Sequence, residues 1–268
     1  MADLDPKTEP KTEAKSGPKP RSELHLVQLL PNLITIAALC SGLTGIRFAI
    51  NGQFQAAVAM ILVSAVLDGL DGRVARLLRS ESEIGAELDS LVDFVNFGVA
   101  PGLIMYMWGL HGGQSGGWIA TLIYASCCLL RLARFNIGNR LSLDRSGPDR
   151  PAATGFTGVP SPAGAMLAML PAYVAFMSPG AQLHSALLAL YMVGVGGLMI
   201  SRFPTPSFKS ITFYAEHVRY VIIGFVALVA AVLSYPWETM VLISLGYVGV
   251  LIVALWQGRK PRRPAAKP

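Results

Sequence analysis

The sequence predicts an all-α membrane protein, a polytopic helical bundle with about eight transmembrane helices and both termini in the cytoplasm. The first reason is composition: 53% of the 268 residues are hydrophobic and only 14% are charged, whereas soluble domains carry about 25% charged residues. The second reason is a series of apolar runs that each approach the ~20 residues a helix needs to cross a bilayer. The third is a one-sided distribution of basic residues. Together these observations exclude a soluble domain.

The apolar runs divide the chain into four parts. We expect a disordered cytoplasmic tail over residues 1–24, a core over 25–210, two further helices over 211–258 and a basic cytoplasmic tail over 259–268. No secretory signal peptide is expected, because the first apolar run is long enough to span. Pro171 lies inside the fifth run and should kink that helix. The runs lie near residues 31–50, 54–79, 88–110, 118–138, 160–177, 182–201, 217–234 and 237–256.

The basic residues set the predicted orientation. In an eight-span arrangement 21 of the 22 Lys and Arg residues fall on one side, and only Arg47 falls toward the other. The positive-inside rule makes the basic side cytoplasmic. The net charge of +6 then faces the anionic headgroups of membrane lipids, which are the expected partners of this charge. No nucleic-acid partner is expected.

Four aspartates stand close together in this apolar chain: Asp68, Asp71, Asp89 and Asp93. A carboxylate in hydrocarbon costs about 2.5–3.5 kcal/mol on insertion scales, so four of them require compensating cations. Asp68 and Asp71 are three residues apart at the end of the second run, and Asp89 and Asp93 are four apart in the third. Each pair shares one helix face, so two neighbouring helices can direct four carboxylates to one point. Carboxylate oxygens suit Mg²⁺ or Mn²⁺, and four could hold two ions.

Small residues and one arginine accompany the aspartates. On a helix, positions 68, 71, 72, 75 and 76 share an arc of about 140°. Gly72, Ala75 and Gly85 would let a bulky ligand approach the backbone. Arg76 could pair with phosphate oxygens through its planar fork.

Arginines next to the aspartates permit a purely structural interpretation. Arg73, Arg76 and Arg79 follow the first aspartate pair and could form Asp–Arg pairs that close a helix hairpin. This interpretation accounts for two aspartates more readily than for four accompanied by the glycines and Arg76.

The signature D-x2-D-G-x2-A-R-x8-G-x3-D-x3-D, typical of the CDP-alcohol phosphatidyltransferases, is matched at every fixed position. The pattern has eight fixed positions over 26 residues, from Asp68 to Asp93. The resemblance implies a membrane helical bundle, usually a homodimer, whose cytoplasm-facing site binds a CDP-linked lipid and metal. It implies metal ligation by Asp68, Asp71 and Asp89, with Asp93 as a further ligand or as the general base. It also implies a CDP-lipid site lined by Gly72, Ala75, Arg76 and Gly85.

Other stretches resemble the membrane-integral bacterial phosphatidylserine synthases, a branch of that family. They are residues 30–35, 93–101, 131–136, 156–163 and 204–209, and the resemblance covers roughly residues 25–210. One departure is Asn96, where many relatives have Ser. The prolines of the Gly158–Pro162 run are interpreted as a rigid helix start with Pro in the first turn, and the role of Ser161 is left open.

The resemblance implies serine as the acceptor, and serine brings a carboxylate that needs cations or helix N-terminal amides. Candidate acceptor contacts are Asn96, Arg131, Arg134 and Lys209, although each basic residue could serve topology alone. The hypothesis is transfer of a phosphatidyl group from CDP-diacylglycerol to L-serine, which releases CMP, with Asp93 as general base. Alternatives are the same reaction with glycerol 3-phosphate, inositol phosphate, choline or a second phospholipid as acceptor. A cation transporter is a more remote alternative.

Overall fold

A computed structural model describes residues 26–78, 80, 82–144, 158–178, 180, 183–201 and 218–258. Within these ranges every regular element is helical, which confirms the all-α membrane bundle. The α-helices are α1 Leu26–Ile50, α2 Phe54–Leu78, α3 Glu83–Asp93, α4 Ala100–Met105, α5 Gln114–Asp144, α6 Ser161–Ala168, α7 Leu170–Met177, α8 Ser185–Ile200, α9 Val218–Ser234 and α10 Pro236–Gly258. The π-helical segment Phe94–Val99 joins α3 to α4, and a second one, Tyr106–Leu110, continues α4, so that these elements form one long helical rod. A 3₁₀ turn, His111–Gly113, connects this rod to α5.

The helical rods follow the eight apolar runs of the sequence. Five are long and apolar enough to cross a membrane: Leu30–Ile50, Phe54–Leu78, Ile84–Leu110, Ser115–Gly138 and Pro236–Ala254. Three apolar helices are shorter, Ser161–Met177, Ser185–Ile200 and Ile223–Ser234. The count of eight spans and the side of the termini therefore stay predictions, and both predicted tails lie outside the described residues.

The third rod begins before its apolar run does. Ser82 has extended backbone geometry, and its hydroxyl accepts a hydrogen bond from the Gly85 N–H at 3.0 Å. This cap satisfies one of the free amides of the first turn, so α3 starts at Glu83, in the polar connection. Asp89 therefore lies in the second turn of a helix that has already formed.

A π-helical segment follows Asp93 directly. Its wider turns change which side chains face the neighbouring helices. The segment is held from α5, because the Tyr124 hydroxyl donates to the Phe97 carbonyl at 2.7 Å. It also approaches α1 closely, because an added Cβ on Gly42 would overlap the Asn96 side chain. The backbone around Asp93 is thus fixed from two sides.

The fifth rod is interrupted beside its internal proline. Helix α6 ends at Ala168, Met169 has φ −87° and ψ −3°, and α7 begins with Pro171 in its first turn. Proline has no N–H to continue the hydrogen-bond ladder of α6. The predicted kink is confirmed.

Three pairs of packed helices make up much of the described bundle. Helices α1 and α2 form a hairpin through a turn in which Gly52 has φ +74°. Helix α5 packs along α8, and α10 packs against α7. Large side chains fill the interior, among them Ile61, Tyr124 and Met192. Helix α9 contacts α10 and otherwise exposes apolar side chains such as Phe225 and Leu233, which suits contact with lipid.

Candidate active site

The helix spacing predicts that four carboxylates can meet at one point, and three of the four converge in the structure. Asp68 and Asp71 project from α2 and Asp89 from α3, and their carboxylate oxygens lie within 4.8 Å of one another. Asp71 is buried, and the other two are partly buried. Three like charges this close repel one another, and water can screen them only in part. The arrangement is chemically suited to a divalent cation, which would neutralise the repulsion and take the oxygens as ligands.

Asp93 lies beside this group rather than within it. Its carboxyl group contacts that of Asp68, but it is not part of the set whose ligand atoms are all mutually within 4.8 Å. Its Oδ1 is buried and has no hydrogen-bond partner among the described residues. An orphaned buried carboxylate oxygen next to three converging carboxylates fits a bound cation or a proton-accepting role.

The Asp71 carboxylate is held by α1. The Thr35 hydroxyl donates to Asp71 Oδ2 at 2.7 Å, and the Gly72 amide donates to Oδ1. Both Thr35 and Asp71 are buried. The contribution of Thr35 was not predicted, although a polar residue in the first apolar run was the available signal.

One side of α2 next to the aspartates is open. An added Cβ on Gly72 would meet no atom of the described residues within 4 Å, which leaves room for a ligand beside the backbone. Ala75 is partly buried, and Arg76 is exposed with its Nε donating to the Gly72 carbonyl at 3.0 Å. These residues share the face of α2 that carries Asp68 and Asp71. Their contact with a CDP-lipid stays a prediction.

The alternative of Asp–Arg pairs gains no support from the described residues. Arg73 and Arg76 are both exposed. The charged neighbours that act on Asp68, Asp71 and Asp89 are other aspartates. Arg79 lies outside the described residues.

Gly85 is small for a reason of packing. An added Cβ there would lie 3.0 Å from Asn32 Oδ1 of α1 and 3.0 Å from Ser82 Oγ. The glycine therefore lets the first turn of α3 approach α1. Its predicted contact with a ligand is not tested by this packing.

Arg131 connects the aspartates to the start of α6. Its Nη1 donates to the buried Ser161 Oγ at 2.6 Å, and its guanidinium interacts electrostatically with Asp93. Ser161 is the first residue of α6, and Pro162 lies in the first turn, as the sequence predicts for the prolines. Ser161, whose role the sequence leaves open, is therefore a hydrogen-bond acceptor for Arg131 in the structure.

The other predicted acceptor contacts lie in different surroundings. Arg134 is exposed and donates to the Ile200 carbonyl at 3.0 Å, which places its positive charge at the C-terminal end of α8. Asn96 is 0% exposed, and neither its Oδ1 nor its Nδ2 has a partner in the described part of the chain. Lys209 lies outside the described residues.

A side-chain pair that the sequence did not reveal joins α3 to α5. Ser90 and Asn136 exchange hydrogen bonds, with Asn136 Nδ2 2.9 Å from Ser90 Oγ. Ser90 follows Asp89, so this pair fixes the position of the second aspartate-bearing helix against the helix that carries Arg131. The site is therefore assembled from α1, α2, α3, α5 and α6.

Comparison with known families gives the same assignment as the signature from Asp68 to Asp93. The family described as CDP-alcohol phosphatidyltransferase matches residues 28–199. The chain belongs to the CDP-alcohol phosphatidyltransferase family. The matched region of this phosphatidyltransferase contains all four aspartates and Arg131, and it ends within α8.

Relatives of this phosphatidyltransferase share one description. A CDP-diacylglycerol–serine O-phosphatidyltransferase of Mycobacterium leprae (strain TN) is 39% identical over 236 residues, which are 87% of this chain and 76% of the relative. Proteins with the same description from Helicobacter pylori (strain J99) and Bacillus subtilis (strain 168) are 37% and 32% identical. The first covers 70% of this chain and 76% of the relative, and the second 67% and 91%.

Proposed function

We propose that the protein transfers the phosphatidyl group of CDP-diacylglycerol to L-serine and produces phosphatidylserine and CMP. The observation that carries the proposal is the 39% identity, over 87% of the chain, to a relative described as a CDP-diacylglycerol–serine O-phosphatidyltransferase. The cluster of Asp68, Asp71 and Asp89 with Asp93 alongside supports the same reaction class. Phosphoryl transfer requires a site that gathers positive charge around a diphosphate and a base that reaches the attacking hydroxyl.

Asp93 is proposed as the general base. It accepts the proton of the serine hydroxyl while that oxygen forms a bond to the phosphorus that carries the lipid. The bond from this phosphorus to the oxygen of the departing CMP breaks on the opposite side. An unpaired, buried Asp93 Oδ1 supports this role, because an oxygen already engaged with protein donors would be a poor proton acceptor.

The three converging aspartates are proposed as metal ligands, and ligation by Asp93 is the alternative to its role as base. A divalent cation held there, Mg²⁺ or Mn²⁺, would neutralise charge on the diphosphate and on the leaving CMP. Two such ions are proposed, because four carboxylates offer enough ligands for two. Arg76 would pair with phosphate oxygens, and Gly72 and Ala75 would line the nucleotide side. Gly85 would support this arrangement through its packing on α1.

Arg131 is proposed as the contact for the serine carboxylate. Its electrostatic interaction with Asp93 supports this assignment, because serine is small and carries its hydroxyl and its carboxylate on neighbouring carbons. Asn96, Arg134 and Lys209 remain further candidates for acceptor contacts. A phosphorylated acceptor would require a denser cationic pocket than the partly buried Arg131 alone offers.

The test is release of CMP from CDP-diacylglycerol by purified protein. Serine, glycerol 3-phosphate, inositol phosphate and choline would each be supplied with Mg²⁺ or with Mn²⁺, and a metal-free reaction serves as the control. We expect metal-dependent release with serine. Release with another alcohol but not with serine would overturn the acceptor while leaving the reaction class. No release with any alcohol would overturn the class.

The location proposed for the enzyme is the inner (cytoplasmic) membrane, with the active site facing the cytoplasm. The support is the bias of 21 of the 22 basic residues to one side of an eight-span arrangement. A fluorescent protein fused to the C-terminus should fold and fluoresce, since it would remain in the cytoplasm. A periplasmic reporter enzyme at the same position should be inactive, and the reverse pattern would contradict this topology.

A homodimer is proposed by family resemblance. Cross-linking of the purified protein in detergent, followed by mass measurement, should give a species of twice the monomer mass. A monomer at all protein concentrations would contradict it.

A further inference from the structure

Helix α10 brings two polar side chains into the bundle on one face. Ser244 and Tyr247 are three residues apart, so they lie one above the other on the helix. The Ser244 hydroxyl and the Tyr247 hydroxyl are buried, and neither has a hydrogen-bond partner among the described residues. Buried polar groups in proteins are nearly always hydrogen-bonded, so a hydrogen-bond partner is expected for these two hydroxyls.

The Tyr247 hydroxyl lies on the Arg131 side of the candidate site. Tyr247 and Arg131 interact electrostatically, and α10 packs against α6, whose first residue, Ser161, accepts a hydrogen bond from Arg131. Arg131 in turn interacts with Asp93. A chain of neighbouring groups thus runs from the proposed base, through Arg131, to a hydroxyl of the last helix.

We infer that Tyr247 binds the carboxylate of the acceptor together with Arg131, so that α10 forms one wall of the acceptor site. The inference rests on the proposed function and adds to it a helix that lies outside the family match, which ends at residue 199. A guanidinium and a phenolic hydroxyl are both hydrogen-bond donors, and two converging donors select a carboxylate rather than an ammonium. The Ser244 hydroxyl, one turn away, offers a second polar contact within the same pocket.

The chain contains a matched control for this inference. Tyr173 on α7 also has a buried hydroxyl without a partner in the described part of the chain. Tyr173 lies against Trp237, with ring centroids 6.4 Å apart at an angle of 20°. Trp237 is in the first turn of α10, whereas Tyr247 is in the middle of that helix. If such hydroxyls were only packing imperfections or held ordered water, removal of either one would have the same consequence.

The experiment compares Tyr247→Phe with Tyr173→Phe in the full-length enzyme. Both substitutions remove one hydroxyl and keep the ring. The Michaelis constants for serine and for CDP-diacylglycerol and the kcat are measured for each, together with the midpoint of thermal unfolding in detergent. For Tyr247→Phe we expect about a tenfold or larger increase in the serine KM, the scale of one hydrogen bond to a charged group. The KM for CDP-diacylglycerol should not change. Tyr173→Phe should leave both constants as in the wild type.

A second variant guards against a folding defect. Ser244→Ala removes the smaller hydroxyl from the same face and should raise the serine KM by a few-fold. An unchanged serine KM in Tyr247→Phe or, if that variant does not fold, in Ser244→Ala would overturn the inference. Equal increases in Tyr247→Phe and Tyr173→Phe would also overturn it. Failure of the proposed function is distinguishable, because wild-type enzyme would then release no CMP with serine before any variant is compared.

Discussion

Thr35 and Asp71 join the first two helices through a buried hydrogen bond. The Thr35 hydroxyl on α1 lies 2.7 Å from Asp71 Oδ2 on α2, and both residues are at most 4% exposed. The bond fixes the direction of a carboxylate that also faces Asp68 and Asp89. If Asp71 ligates a metal as proposed, Thr35 contributes to metal affinity without touching the metal.

Replacement of Thr35 by Val should weaken metal binding. The variant keeps the shape of the side chain and removes the donor, so the Asp71 carboxylate loses its orienting contact. The concentration of Mg²⁺ or Mn²⁺ that gives half-maximal CMP release should increase by about 10–100-fold. Thr35→Ser retains the hydroxyl and serves as the control, with a much smaller increase. An unchanged metal requirement in Thr35→Val would mean that Asp71 does not depend on this bond.

Replacement of Asp93 by Asn should abolish turnover while metal binding persists. The amide cannot accept the hydroxyl proton, and loss of a general base lowers the rate by about 10²–10⁴-fold. Metal binding, measured by the electron paramagnetic resonance signal of Mn²⁺, should remain because Asp68, Asp71 and Asp89 still converge. Asp71→Asn is the contrasting variant and should lose both. Substantial turnover in Asp93→Asn with metal bound would remove Asp93 from the proton transfer.

The helices and the aspartate cluster could be predicted from sequence because they depend on local spacing. Apolar runs of spanning length and carboxylates three or four residues apart define a helix face without knowledge of its neighbours. The signature identified eight site positions at once. The cluster of Asp68, Asp71 and Asp89 then follows from placing the first two on one helix and the third on the next.

What could not be predicted depends on contacts between helices distant in sequence. Thr35 and Asp71 are 36 residues apart, and Ser90 and Asn136 are 46 apart. The local sequence around each of these four residues does not indicate which residue it will bond. The same holds for Tyr247, because its helix carries no motif and only packing against α6 brings it to the Arg131 side.

Replacement of Gly158 by Ala should destabilise the connection that presents Ser161. Gly158 has φ +89°, and an added Cβ would lie 2.5 Å from the Met199 carbonyl oxygen and 2.8 Å from that of Ser201. Backbone atoms cannot rotate away as a side chain can. Gly180→Ala is the matched control. Gly180 has φ +109°, and no described residue lies within 4 Å of an added Cβ there, so this variant should cost only the backbone strain, about 1–3 kcal/mol.

Overlap should therefore make Gly158→Ala the more destabilising of the two, by about 1–3 kcal/mol. Thermal unfolding of the two variants in the same detergent gives the comparison. Equal losses would show that the chain relaxes around Gly158 without displacing α8.

Replacement of Gly42 by Ala should disturb Asn96. An added Cβ on Gly42 would overlap the Asn96 Oδ1 and lie 2.8 Å from its Cγ, and Asn96 is fully buried. Overpacking of this kind costs about 1–3 kcal/mol. Gly194→Ala is the control, because no described residue lies within 4 Å of an added Cβ on this helical glycine, and removal of a helical glycine should stabilise by about 0.5–1 kcal/mol.

The double variant Gly42→Ala with Asn96→Ser tests whether the two residues act on each other. Serine is shorter than asparagine, so it should make room for the new methyl group and restore much of the stability lost in Gly42→Ala. The free energies of unfolding of the wild type, the two single variants and the double variant give a coupling energy. It should be about 0.5–3 kcal/mol, the range for residues in contact. If the losses in free energy of unfolding were additive, α1 and the π-helical segment after Asp93 would adjust to the two substitutions independently. In that case Gly42 would not fix the position of Asn96, and the small residue at 42 would need another explanation.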